Sequence, residues 1–325
     1  MNVRRLIPLA AVTGAVALGL TAVSACSSGT AGDDHRSGDK LAVVASFYPM
    51  QFLAEEIGGK HVSVTALTKP GVEPHDLELS PRQIGGLSDA DYILYLRGLQ
   101  PAVDDAVEQS GARHAVDAAK FTTLENHGAE VDGGGDEHAH DGGHDEHDHG
   151  GSGADPHIWL DPVKYAEVAK GVGTSLEKAD PDHAADYREN TDALVGRLGA
   201  LDTAYRTGLR NTTTKTFITT HSAFGYLAER YGLKQEGIAG LDPEAEPSPA
   251  RIKEIQAVAK RDRASTVFFE ALASDKTAKT LAGDTGLRTD VLDPLEGITD
   301  ASHGDDYIEV MESNLAALRK ALGAK

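Results

Sequence analysis

Histidines and carboxylates standing just past apolar runs are the residues of this 325-residue chain best suited to chemistry. His75 sits in Glu73-Pro74-His75-Asp76, after the run Val62–Leu67. His157 sits in Asp155-Pro156-His157-Ile158-Trp159, just before a helix start, and His221 follows Thr216–Thr220 directly. Glu270 follows Thr266–Phe269, and Asp293 follows Thr289–Leu292 in Asp293-Pro294-Leu295. Three imidazoles with one carboxylate fit four-coordinate zinc, whose nitrogen and oxygen ligands lie at about 2.0–2.2 Å. No local ligand spacing joins these residues, so only a fold can bring them together. At this level the carboxylate that would complete the set stays open. His35, His61, His114, His183 and His303 read as solvated or capping residues.

A second cluster is local. His138, His140, His144, His147 and His149 alternate with Asp136, Glu137, Asp141, Asp145, Glu146 and Asp148. Neutral imidazoles on a loose chain can chelate a borderline metal. Ordering that chain costs conformational entropy, so each such site should be weak. Asp132–Gly153 is almost entirely Gly, Asp, Glu and His and carries too little apolar surface to order itself. A disordered loop over about 125–154 is expected.

Composition narrows the chemistry. The net charge of −20 argues against a nucleic-acid partner, which needs basic surface. One Trp and 5% aromatic residues argue against a stacking platform for sugars or bases. The single Cys excludes an internal disulfide and a thiolate zinc cluster. That residue, Cys26, ends Val23-Ser24-Ala25-Cys26, after Arg4, Arg5 and the apolar stretch Leu6–Val23. A basic start, an apolar stretch and small residues before a cut form a secretory signal. Small residues followed by Cys resemble the bacterial lipobox, whose Cys is lipidated and becomes the mature N-terminus. The expectation is a signal peptide over 1–25, a flexible tether over 26–39, and a mature protein held by its lipid to the outer face of the cell membrane.

The elements that would position the histidines alternate in type. Strands are expected at Leu41–Phe47, Val62–Leu67 and Tyr92–Leu96, with a helix at Met50–Ile57 and another capped by Ser80-Pro81. Asp161-Pro162 and Asp180-Pro181 start two further helices. In the second, Tyr187, Thr191, Leu194, Leu198, Leu201, Tyr205 and Leu209 form one apolar stripe. Such a helix reaches roughly 40 Å at 1.5 Å per residue, enough to span two lobes. The alternation then resumes: strands at Thr216–Thr220, Lys234–Ala239, Thr266–Phe269 and Thr289–Leu292, helices at Ala223–Tyr231, Pro249–Lys260, Asp275–Thr285 and Asp305–Leu322. The fold class is α/β, two lobes each with a mostly parallel sheet flanked by helices, joined by one long helix. The expected divisions are 40–180, a linking helix over 181–209, and 210–325.

Several segments carry a family resemblance. Glu73-Pro74-His75, Asp155-Pro156-His157-Ile158-Trp159-Leu160-Asp161-Pro162 and Thr219-Thr220-His221-Ser222-Ala223-Phe224-Gly225-Tyr226 resemble the metal-binding segments of the cluster A-I solute-binding proteins. These are the zinc and manganese receptors of ABC importers. Gly240–Ser248 and Val267-Phe268-Phe269-Glu270 resemble further family segments, in family order from Leu41 to Lys325. Leu77 departs from the pattern, standing where the family usually has an aromatic residue. The resemblance implies two lobes joined by a rigid helix, with metal between them. It implies His75, His157 and His221 as ligands and Asp293 as the fourth; Glu270, which the resemblance does not make a ligand, stands as a supporting or structural candidate. A histidine at the third position and a His-rich loop resemble the zinc members, since the manganese members carry a carboxylate there. The implied function is an extracytoplasmic receptor, not an enzyme, that delivers Zn2+ as transported ligand to the membrane permease and ATPase of an ABC importer. Competing readings are a manganese receptor, a surface adhesin or metal buffer of the same fold, and a zinc hydrolase.

Overall fold

In the computed structural model of the protein, residues 40–127, 154–271 and 276–325 are described. The expected signal peptide, Cys26 and tether lie outside the described residues, as do His138, His140, His144, His147 and His149.

Two sheets of four parallel strands organise the described residues. The first contains β1 (Leu41–Ala45), β2 (Val62–Ala66), β3 (Tyr92–Tyr95) and β4 (Ala115–Asp117), in the order β2-β1-β3-β4. The second contains β5 (Thr216–Thr219), β6 (Lys234–Gly237), β7 (Thr266–Phe269) and β8 (Arg288–Val291), in the matching order β6-β5-β7-β8. Parallel strands need crossovers that cover the sheet faces, so central strands can be apolar throughout. Every residue of β3 and of β5 is buried. The crossovers contain α1 (Tyr48–Gly58), α2 (Pro81–Asp89) and α3 (Pro101–Ser110) in the first half. In the second they contain α6 (Gly225–Arg230), α7 (Pro249–Arg261) and α8 (Lys276–Thr285). Between the halves in sequence stand α4 (Pro162–Ala179) and α5 (Ala184–Leu209), and α9 (Tyr307–Leu322) closes the chain.

The helix starts follow their caps. Ser80 and Gln83 form a capping box at α2, and Asp161 Oδ1 accepts from the Val163 N–H at α4. Asp180-Pro181 opens a short 3-10 turn, Pro181–His183, before α5 begins. The pair α3 and β4 was not expected, because β4 has three residues, too few for a visible alternation.

All seven stripe residues of α5, from Tyr187 to Leu209, are buried. They join elements from both halves. The Asn190 side chain donates to the Ile57 carbonyl at 2.9 Å, and the Tyr205 hydroxyl donates to the Met311 carbonyl at 2.7 Å. Arg197 pairs with Glu56 at the end of α1 and with Asp306, the N-cap of α9. The close packing of α4 on α5 depends on Gly173, where an added Cβ would lie 2.2 Å from Thr191 Oγ1. Trp159 ties the halves again. Its indole N–H donates to the Pro294 carbonyl at 2.7 Å, its own carbonyl accepts from Tyr307 Oη at 2.5 Å, and its ring meets Phe47 edge-on. Smaller apolar clusters fill the outer face of each sheet, around Ile93 and Val103 in one and around Ile218 and Ile255 in the other. Among the described residues no helix is long and apolar enough to cross a membrane.

Candidate metal centre

Open parallel sheets expose functional groups beyond the carboxyl ends of their strands. His75, in the segment after β2, His157, before α4, and His221, directly after β5, meet there. Their ring centroids are 5.5, 5.5 and 6.3 Å apart. All three present Nε2 to one carboxylate oxygen, Glu296 Oε1, at 3.3 Å for His75, 3.2 Å for His157 and 3.5 Å for His221. A tetrahedral zinc with bonds near 2.05 Å has ligand–ligand edges of about 3.3 Å, so this spacing suits one ion. His157, His221 and Glu296 are buried, and only the His75 side chain keeps access to solvent, at 14%. His221 Nε2 is buried without a hydrogen-bond partner.

Carboxylates behind the rings fix their orientation. Asp155 Oδ1 accepts from the His157 backbone N–H at 2.9 Å and faces ring Nδ1 at 2.7 Å. Glu270 Oε1 faces His221 Nδ1 at 2.5 Å and accepts from Thr220 Oγ1 at 2.7 Å. A ring that donates Nδ1–H to a carboxylate keeps Nε2 free to bind a metal, and the partner makes that nitrogen more basic. Glu270 sits at the end of β7, the strand beside β5, so the two side chains meet across neighbouring strand ends. At His75 the backbone N–H donates to Glu73 Oε1 at 3.1 Å.

The carboxylate among the three rings is Glu296, where the family resemblance pointed to Asp293. Asp293 shapes the turn that delivers Glu296. Its Oδ1 accepts from the Leu295 N–H at 2.8 Å, and its backbone is clasped by the Asn314 side chain of α9 through bonds of 2.9 and 2.7 Å. Leu295 is buried with a left-handed backbone, φ 59°. That conformation costs a β-carbon-bearing residue about 1–2 kcal/mol, and here it reverses the chain so that the next side chain enters the cluster. Of the other histidines, His61 pairs with Asp186 and stacks on His183, which pairs with Asp180. Neither joins the cluster. His303 is exposed.

The electrostatics of the cluster are reciprocal. Burial favours protonation of Glu296, but the facing rings of His157, His221 and His75 outweigh it and hold its pKa well below the ordinary carboxylate value. Burial disfavours a charged His157, yet Asp155 and then Glu296 raise its pKa above the ordinary imidazole value. His221 is raised well above that value in the same way, against burial, by Glu270 and then Glu296. Burial and the Glu296 charge push the Glu73 carboxyl up to about 8. Burial, with the charges of Glu270 and Glu296, pushes Asp293 up to about 6. Without metal, the cluster thus favours protonation of His157 and His221. A divalent cation at its centre would displace those protons and satisfy the same carboxylates.

The model of the ZnuA family, described as zinc-uptake complex component A, periplasmic, matches residues 43–321. The chain belongs to this family. The resemblance read from the His75, His157 and His221 segments is therefore borne out, as is the α/β class with its two parallel sheets and long helix. A family relative, the high-affinity zinc uptake system protein ZnuA of Bacillus subtilis, is 40% identical over 309 residues, covering 93% of this chain and 94% of that protein. The zinc-binding lipoprotein AdcA of Streptococcus pneumoniae is 36% identical over 287 residues. That match covers 86% of this chain but 56% of AdcA, so the chain spans about half the length of that relative. Among solved structures, the Zn(II)-bound ZnuA-like domain of S. pneumoniae AdcA superposes with a TM-score of 0.71 at 33% identity, covering 87% of this chain and 99% of that one. The laminin-binding protein Lmb of Streptococcus agalactiae, described as having adhesin and metal-transporting activity, gives 0.75 at 31% identity with the same coverage.

Proposed function

We propose that the protein is the extracytoplasmic zinc receptor of an ABC importer, holding one Zn2+ with His75, His157, His221 and Glu296 and passing it to the membrane permease. The observation that carries this reading is the convergence of three imidazole Nε2 atoms on one buried carboxylate oxygen at 3.2–3.5 Å. Three nitrogens and one oxygen suit zinc over manganese, which favours oxygen-rich shells. Four protein ligands close a tetrahedral shell, the arrangement of a site that holds metal. Catalytic zinc sites keep a position open for water. The family's description as a periplasmic uptake component, and relatives named for zinc uptake, support the transport role.

Lipidation at Cys26 would keep the receptor beside its permease, and the His-rich segment would collect metal weakly. Two experiments test the function. Zinc titration against a competing chelator should find one tight site. In a strain lacking the gene, zinc-limited growth should be restored by the wild-type chain and not by His157→Ala. Restoration by His157→Ala at equal abundance would contradict the assignment. The likeness to Lmb favours a second role in surface attachment, which binding of the purified protein to immobilised laminin would test.

A further inference from the structure

Outside the cluster, one other group of side chains among the described residues can hold a metal ion: Glu125, His127 and Glu229, whose ligand atoms lie within 4.8 Å of one another. His127 Nε2 stands 2.6 Å from Glu229 Oε2 and 3.9 Å from Glu125 Oε2. Lys164 pairs with the other oxygen of Glu125, Oε1, at 2.6 Å and leaves Oε2 turned toward the imidazole.

The position of the ring is built rather than incidental. His127 packs edge-on against Tyr226, with centroids 4.3 Å apart. It occupies space that only a glycine leaves open at the start of α6, since a Cβ on Gly225 would lie 2.2 Å from His127 Cβ. The Tyr226 hydroxyl accepts from the Glu125 N–H at 2.7 Å and donates to the Asp155 carbonyl at 2.8 Å, and the Asp155 N–H donates to the Glu125 carbonyl at 2.8 Å. These bonds hold the two segments together. Behind the ring, His127 Nδ1 faces Asp155 Oδ2 at 3.3 Å. Asp155 is wholly buried, and neither this oxygen nor His127 Nδ1 makes a hydrogen bond. Its second oxygen orients His157. One buried carboxylate therefore backs two imidazoles, the Nε2 of one facing Glu296 and that of the other facing Glu229 and Glu125.

We propose that Glu125, His127 and Glu229 form a second, weaker site for a divalent transition cation such as zinc, distinct from the His75 cluster. Mixed imidazole and carboxylate donors suit a borderline ion over calcium or magnesium, which take oxygen shells. Three donors, one of them on a side chain 62% exposed, make the site weaker than the buried cluster. The 2.6 Å His127–Glu229 contact is a short hydrogen bond. Opening it to the roughly 3.3 Å edge of a metal shell needs only rotation of the exposed Glu229 side chain. The site stands directly before residue 128 in sequence and shares Asp155 with the primary cluster, so a cation held there waits one side chain away from His157.

The test uses the full-length chain with His138, His140, His144, His147 and His149 replaced by Asn, which removes the competing imidazoles without shortening the protein. Titrated with zinc from the metal-free state by calorimetry at pH 7.5, this protein should bind one equivalent tightly and one further equivalent more weakly. His127→Gln and Glu229→Gln should each weaken that second event at least tenfold. Glu229→Gln, which touches neither Asp155 nor His157, should leave the first event unchanged. Absence of a second event, or a second event unaffected by both substitutions, overturns the proposal. Failure of the tight site itself would show instead as loss of the first event, so the two readings fail separately.

Discussion

Replacing Glu296 by Gln keeps the side chain's shape and removes its charge. Its Oε1 faces three ring nitrogens at 3.2–3.5 Å, and the residue is 2% exposed, so little solvent can compensate the loss. Removing one partner from a buried charged set costs about 3–5 kcal/mol. At about 1.4 kcal/mol per tenfold, that is a loss of roughly 10²- to 10³-fold or more in zinc affinity. Part of it returns at low pH. Without Glu296, His157 and His221 hold protons less tightly, so fewer protons compete with the metal. The ratio of wild-type to variant affinity should therefore be largest at pH 8 and shrink toward pH 6. Asp293→Asn is the control. An amide oxygen can still accept from the Leu295 N–H, so that variant should stay within about tenfold of wild type, the scale of a supporting-residue change. Competition titrations with a zinc chelator measure both. If Glu296→Gln binds zinc as the wild type does while Asp293→Asn loses about a hundredfold, Asp293 completes the set and the reasoning from geometry fails.

Four further outcomes are expected, three at the cluster and one in the packing of α4 on α5. His157 and His221 have raised pKa values in the folded, metal-free protein, so zinc affinity should fall with pH from above about 6.5, more steeply than one proton would cause. The same raised values stabilise the zinc-free fold below about pH 6.5, and that contribution is lost as pH rises through the folded pKa values. Scanning calorimetry should then show a zinc-induced Tm gain that grows with pH, and a gain that shrinks would refute the coupling. Glu270→Gln removes the anion behind His221 Nδ1 and should weaken zinc about 10- to 100-fold, less than His221→Ala, by the same titration. Gly173→Ala should destabilise the fold by about 1–3 kcal/mol in urea unfolding while the bound zinc stays at its wild-type stoichiometry, because the new methyl meets Thr191 far from the cluster.

The legible parts of the fold are those written in local pattern. The α5 stripe from Tyr187 to Leu209 recurs at helical spacing because one face of that helix is buried along its whole length, so the periodicity survives in the sequence. Caps at Ser80 and Asp161 were readable because the bonds they make are two or three residues long. His75, His157 and His221 could be singled out by their places beside strand ends and a helix start, although bringing them together needed the fold. Glu296 was not legible. Its entry into the cluster depends on a left-handed Leu295 and on Asn314, 21 residues from Asp293, and neither leaves a local signature. His127 was missed for a similar reason. Its partners Glu229 and Asp155 come from separate segments, and the space it fills exists because residue 225 is glycine. The helix–strand pair α3 and β4 escaped because both elements are short and partly exposed.

The zinc anomalous signal from crystals of the protein loaded with one equivalent of zinc would locate the ion and its four ligands directly. One strong peak is expected at bonding distance, about 2.0–2.2 Å, from Nε2 of His75, His157 and His221 and from a Glu296 oxygen. A peak ligated by Asp293 or Glu270 in place of Glu296, or an ion bound elsewhere with the three rings still turned to Glu296, would contradict this ligand set.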